Sequence, residues 1–205
     1  MKTSIILAAL ASACFALTSQ AAIVVNGGFE DTEQAAGTWT IYNAITGWTG
    51  LPNVEVRNNV VGTAHSGSNF VELDTDFNSA ISQDLVTVAG QSYDLSFYYS
   101  PRLGVNSESN PIDVFLNDVL LGTANGDGTG NTDNVWQLFT FNFIGAEGTT
   151  TTNLRFSASG ISDSLGGSLD DVSVTAVPES ETYAMMLAGI GVMGAVARRK
   201  QKTEA

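Results

Sequence analysis

Carboxylates are the main chemical resource of this 205-residue chain, in which 21 Asp and Glu stand against 8 Lys and Arg, one histidine and one cysteine. Between Ala22 and Val177 lie 18 acids and three bases, Arg57, Arg102 and Arg155, a local net charge of −15 with no lysine. Such a surface repels phosphate backbones, which excludes nucleic acid as a partner. Glu30 lies near the start of this stretch, and Asp170 and Asp171 near its end. A jelly roll sets its first and last strands side by side, which would bring these carboxylates together. Like charges that meet repel unless a cation sits between them, and hard oxygen ligands suit Ca²⁺. The plainer reading is that all three acids are solvated caps of strand ends. Asp127, Thr129, Asn131 and Asp133 also alternate in a Gly-rich loop. Thr132 takes the place of the required glycine and no late glutamate follows, so solvated loop is the better reading there.

Sugar binding needs an aromatic face against the C–H side of a ring, with polar groups around it. Trp48, Trp136, Tyr42, Tyr98 and Arg102 are the available pieces. Tyr98 alternates away from the apolar face of Tyr93, Leu95 and Phe97, and Arg102 follows the same strand, so these two lead. Trp48, after Gly47, fits either a sugar platform or the core, and Trp136 opens an apolar strand and fits the core better. Catalysis has little to draw on. His65 is the single histidine and sits in a Thr63-Ala64-His65-Ser66-Gly67 turn, a place for an exposed histidine rather than a general base. Past residue 21 there is no cysteine for a thiol nucleophile, and the same domain has no lysine for a Schiff base. Eighteen acids make close carboxylate pairs inevitable, so Glu72, Asp74 and Asp76 do not by themselves indicate glycoside hydrolysis. The chain is therefore read as no enzyme.

The elements that must position these residues are strands. From Ile23 to Thr175 short alternating runs are separated by turn residues, with no sustained 3.6-residue period. Strands are expected at 54–57, 69–73, 80–86, 93–99, 112–116, 119–121, 137–143, 152–157 and 171–175. Asn117-Asp118 reads as a two-residue hairpin turn, since both residues tolerate the left-handed conformation. This pattern predicts an all-β fold, a jelly-roll-type β-sandwich over residues 22–176.

The two ends serve routing. Residues 1–21 read as a cleaved secretory signal helix: Lys2, an apolar run from Ile5 to Leu17, and small residues at Ser19-Gln20-Ala21. Cys14 falls inside this run, so the mature domain has no disulfide to stabilise it. A lipoprotein signal ending at Cys14 would leave a very short apolar region. Residues 177–202 comprise Val177-Pro178-Glu179-Ser180, an apolar segment over 183–197, and Arg198-Arg199-Lys200. As a helix, 183–197 is about 22 Å long against a hydrocarbon core of about 30 Å. The basic cluster would hold the C-terminus on the cytoplasmic side. In order and spacing, Val177, Pro178, Glu179, Thr182-Tyr183-Ala184-Met185, Leu187-Ala188-Gly189, Arg198, Arg199 and Lys200 resemble the PEP-CTERM sorting signal, with Ser180 where that family usually has a second proline. The resemblance implies an exosortase as processing partner, a transmembrane sorting helix that holds the protein in the membrane before processing, and the cell surface or extracellular matrix of a Gram-negative bacterium as destination.

A second resemblance covers the middle. Asn26-Gly27-Gly28-Phe29-Glu30 opens it, and Gly47-Trp48, Gly67 to Leu73, Ile81-Ser82-Gln83, Gly90, Tyr93 to Phe97 and Trp136 to Phe143 follow. Leu169-Asp170-Asp171-Val172-Ser173-Val174 closes it. This order is similar to DUF642-type domains and related galactose-binding-like carbohydrate-binding modules. The resemblance implies a non-catalytic jelly roll that binds extracellular polysaccharide, with a structural Ca²⁺ held by Glu30, Asp170 and Asp171. Sugar binding is assigned to Tyr98, Arg102 and Trp48. The alternatives are a structural surface or biofilm-matrix protein with no defined sugar, and a jelly-roll glycoside hydrolase or lyase.

Overall fold

The computed structural model describes residues 23–178, together with 189–191 and 193–194, which are helical. The expected signal segment 1–21 and most of the sorting segment, including Glu179, Arg198, Arg199 and Lys200, lie outside the described residues. Among the described residues no helix is long and apolar enough to cross a membrane.

Ten antiparallel strands make the fold: β1 (Trp39–Ile45), β2 (Trp48–Asn58), β3 (Asn69–Glu72), β4 (Ala80–Val86), β5 (Ser92–Ser100), β6 (Ile112–Leu116), β7 (Val119–Ala124), β8 (Gln137–Ile144), β9 (Thr151–Ala158) and β10 (Ser168–Ala176). They run in the order β7-β6-β9-β4-β2-β3-β10-β5-β8, with β1 paired to β2. β2 belongs to both layers. Its Thr49–Leu51 half pairs with β4, and its Glu55–Asn58 half pairs with β3. The sheet thereby folds over on itself into a sandwich, in agreement with the all-β expectation.

Aromatic rings fill the space between the layers. Phe97 of β5 meets Phe156 of β9 edge-on at 4.9 Å between centroids, and Trp48 lies 5.9 Å from Phe29 and 6.2 Å from Phe156. Alternation along each strand sends these residues inward, because successive side chains leave opposite faces of a sheet. The Asn117-Asp118 turn has φ of 46° and 63°, the mirror-image geometry that matches the twist of a hairpin.

Strand β1 lay outside the expected set. Thr46-Gly47 joins it to β2 through a two-residue loop with Gly47 at φ 80°, and Ile45 pairs with Trp48 directly across the turn. The opening motif is not a strand either. It is a turn pressed against β10: the Val172 N–H donates to the Gly27 carbonyl at 2.9 Å.

Candidate functional site

The layer β1-β2-β3-β10-β5-β8 has two faces, and the one turned from the core carries the polar side chains. Register sets them out in two rows. One row runs Trp39, Arg57, Phe70, Asp170, Tyr98 and Leu138; the other runs Ile41, Glu55, Glu72, Ser168 and Ser100. Side chains directly opposite on paired strands share a face and touch.

Two loops roof this face, the β2–β3 loop (residues 59–68) and the β7–β8 loop (residues 125–136). The Thr63 N–H donates to Asp133 Oδ1 at 2.8 Å, while Asn134 Nδ2 and Trp136 Nε1 both donate to the Thr63 carbonyl at 3.0 and 2.9 Å. The backbone N–H of Asn134, 2.8 Å from Asp133 Oδ1, and after it the Thr63 N–H and hydroxyl hold the Asp133 carboxyl below the usual carboxylate range. Asp127 instead accepts the Thr129 N–H at 2.8 Å within its own loop.

On the same face the acids of the second row, Glu55 and Glu72, belong to a buried ion cluster. Arg57 Nε donates to Glu55 Oε1 at 2.5 Å and Arg57 Nη2 lies 3.0 Å from Glu72 Oε2. Arg102 Nη1 reaches Glu72 Oε1, which also accepts the Gly166 N–H at 3.2 Å. Burial pushes the Glu72 carboxyl up to about 7 against the pull of both guanidiniums. Arg57 Nη1 is buried without a hydrogen-bond partner. A charge here holds its place only through its partners, because a low-dielectric surrounding penalises any ion left alone.

Glu30, Asp170 and Asp171 gather around one short stretch, 65–69. Glu30 Oε1 accepts the N–H groups of Ser68 and Asn69 at 2.8 and 2.7 Å. Asp170, fully buried, takes the His65 and Ser66 N–H groups on Oδ2 at 2.8 and 3.2 Å, and the Asp171 N–H on Oδ1 at 2.7 Å. Asp171 binds His65 Nδ1 at 2.6 Å and the Ser66 hydroxyl at 2.7 Å. Burial raises Asp170 to about 7, with the Asp171 charge adding to the rise. The three acids thus fasten the β2–β3 loop through Glu30 Oε1, Asp170 Oδ2 and both carboxylate oxygens of Asp171. Among the described residues no three His, Cys, Asp or Glu are placed to hold a metal ion together.

The expected sugar residues separate. Trp48 is 2% exposed, packed in the core with its Nε1 donating to the Asn26 carbonyl at 3.0 Å; it offers no face to a ligand. Deep burial of a large apolar ring outweighs its nearness to a turn glycine. Tyr98 and Arg102 do lie on the roofed face. The Tyr98 ring, however, is stacked under His65 at 3.4 Å and 16°, and Arg102 is tied to Glu72. Trp136, assigned to the core from its sequence position, instead roofs the face, edge-on to Phe70 at 5.8 Å. Trp39 was not singled out and is 52% exposed at the margin of the face, opposite Arg57. The strand-like run Trp39-Thr40-Ile41 after Gly37-Thr38 was the available signal for it.

No protein-family model matches this chain, and no curated protein does. Among solved structures, a cyclase from Fischerella sp. TAU in complex with 4-(1H-indol-3-yl)butan-2-one aligns over 78% of this chain and 100% of its own, at 16% identity and a TM-score of 0.55. The two share the fold. A family 35 carbohydrate binding module from Clostridium thermocellum aligns over 68% and 99% at 16% identity, with a TM-score of 0.47. TmCBM61, in complex with beta-1,4-galactotriose, aligns over 77% and 100% at 21% identity and a TM-score of 0.47.

Proposed function

We propose that this protein is an exported, exosortase-sorted β-sandwich that binds extracellular carbohydrate without catalysis. The observation that carries the binding reading is Trp39, half exposed beside a face whose charged groups are fixed in place by one another. An indole covers the apolar side of a sugar ring, and the buried cluster of Glu55, Arg57 and Glu72 stiffens β2, the strand against which Trp39 is paired. The domain's net charge of −15 favours neutral glycans over anionic ones. The processing step rests on the order of residues 177–202, which supports routing through the membrane to the cell surface.

The test is a glycan array followed by titration of the best ligand. Trp39→Ala is expected to lose at least about tenfold in affinity, roughly the 1.4 kcal/mol that one lost contact of this kind represents, with an unchanged melting temperature. Equal retention of parent and variant on every glycan would remove Trp39 from the site.

A catalytic reading draws on one observation, the two carboxyls at about 7, Glu72 and Asp170, on a single face. Values near neutrality suit a general acid. Yet the burial that raises them also closes them to substrate: Glu72 is 1% exposed and Asp170 is 0%. Release of reducing ends from the bound glycans would establish the enzyme instead.

A further inference from the structure

Directly after Glu72, where the Gly166 N–H meets its carboxyl, the β3–β4 turn (residues 73–79) packs against the β9–β10 loop (residues 159–167). Asp74 is fully buried there. Its Oδ2 accepts the Asp163 and Leu165 N–H groups at 2.9 and 3.3 Å, while its Oδ1 is buried with no hydrogen-bond partner. Asn78 faces Asp74 across an isolated antiparallel bridge. The Asn78 amide donates to the Gly160 carbonyl and its backbone N–H to the Ser162 hydroxyl, each at 2.8 Å. This fixes the amide orientation and leaves Asn78 Oδ1 also buried without a partner. Asp163 completes the group, its Oδ1 on the Leu165 N–H at 3.2 Å and its Oδ2 on the Ser109 hydroxyl at 2.7 Å.

Two features set this group apart from an ordinary acidic loop. Both orphan atoms are oxygens, and each buried acceptor left unmet carries a full desolvation penalty. No basic side chain comes to meet them either: Arg57 and Arg102 are bound to Glu55 and Glu72, and Arg155 to Asp118. Burial, reinforced by the Asp163 charge, holds the Asp74 carboxyl above its ordinary value.

We propose that Asp74, Asn78 and Asp163 form a Ca²⁺ site that clamps the β3–β4 turn to the β9–β10 loop. Two carboxylates with an amide oxygen, completed by water, make the hard, flexible oxygen set this ion takes. The site is separate from Glu30, Asp170 and Asp171 and does not depend on the carbohydrate reading.

The experiment is calorimetric titration of the full chain with CaCl₂ after chelation, paired with melting in Ca²⁺ and in excess chelator. The parent is expected to bind Ca²⁺ and to melt about 5–10 °C higher when the ion is at a hundredfold excess over its Kd. Asp163→Asn, an exposed position that leaves the fold intact, is expected to weaken binding at least about tenfold; Asp74→Asn follows it if it folds. Asp171→Asn is expected to bind as the parent does. Identical melting in Ca²⁺ and chelator would overturn the proposal, as would binding lost in Asp171→Asn but kept in Asp163→Asn.

Discussion

Arg57 is the residue on which the polar face depends most. It lies 4% exposed between Glu55 and Glu72, and its loss would leave two carboxylates to face one another across paired strands. Arg57→Met keeps much of the volume and removes the charge; it is expected to cost about 3–5 kcal/mol in urea denaturation. A change under about 1 kcal/mol would show that solvent already neutralises the cluster. Trp48 works by volume instead. Trp48→Ala empties a site walled by Phe29 and Phe156 and is expected to cost about 3–5 kcal/mol by the same measurement. A sugar platform would show the opposite pattern, normal stability with lost binding.

At the scale of elements, eight of the ten strands lie where alternation and turn residues indicate, and a ninth, β2, extends well beyond its expected 54–57 core. A half-buried strand writes its period directly into its sequence. β1 escaped because it pairs with β2 alone, and its exposed residues dilute the apolar alternation. The two ends of the domain were legible as a pair. Asn26-Gly27-Gly28-Phe29-Glu30 and Leu169-Asp170-Asp171-Val172 do meet, through the Gly27 carbonyl and the Val172 N–H, though as turn against strand. A side chain at Gly27 would run into the Val172 carbonyl, which explains why glycine stands there. Gly27→Ala is therefore expected to cost about 3 kcal/mol and to lower the melting temperature, whereas Gly37→Ala meets no atom and costs only its backbone strain. The site was less legible. Val54-Glu55-Val56-Arg57 reads as a strand with one face in water, and only the arrival of Glu72 and Arg102 from distant positions reveals that face as buried. Register places Trp39 beside Arg57, and sequence spacing carries no trace of that.

For the whole molecule the acids act in concert. Glu72 and Asp170 rise to about 7 from 4.5 and 3.8, so the folded chain holds protons that the unfolded chain has released. Stability then falls as pH climbs from about 4 to about 7, the reverse of an ordinary salt-bridged carboxylate. In chelator, the melting temperature is expected to be higher at pH 5 than at pH 7.5, and Asp170→Asn is expected to flatten that slope. An upward slope over the same range would mean that both carboxyls are ionised in the fold.

The exit of the chain from the sandwich has a mechanical meaning. The Val177 N–H donates to the Ser92 carbonyl at 2.8 Å, and Gln91 Nε2 holds the Val177 carbonyl at 2.6 Å. That junction continues β10, which pairs with β5 up to Ala176 and with β3 at its Ser168–Leu169 end. Tension applied to the chain beyond Val177 along the strand therefore loads a row of ladder bonds in shear, all at once, instead of peeling an edge strand one bond at a time. Pulled at that end, the domain would yield late and abruptly, and its grip would be set by the ladder between β10 and β5.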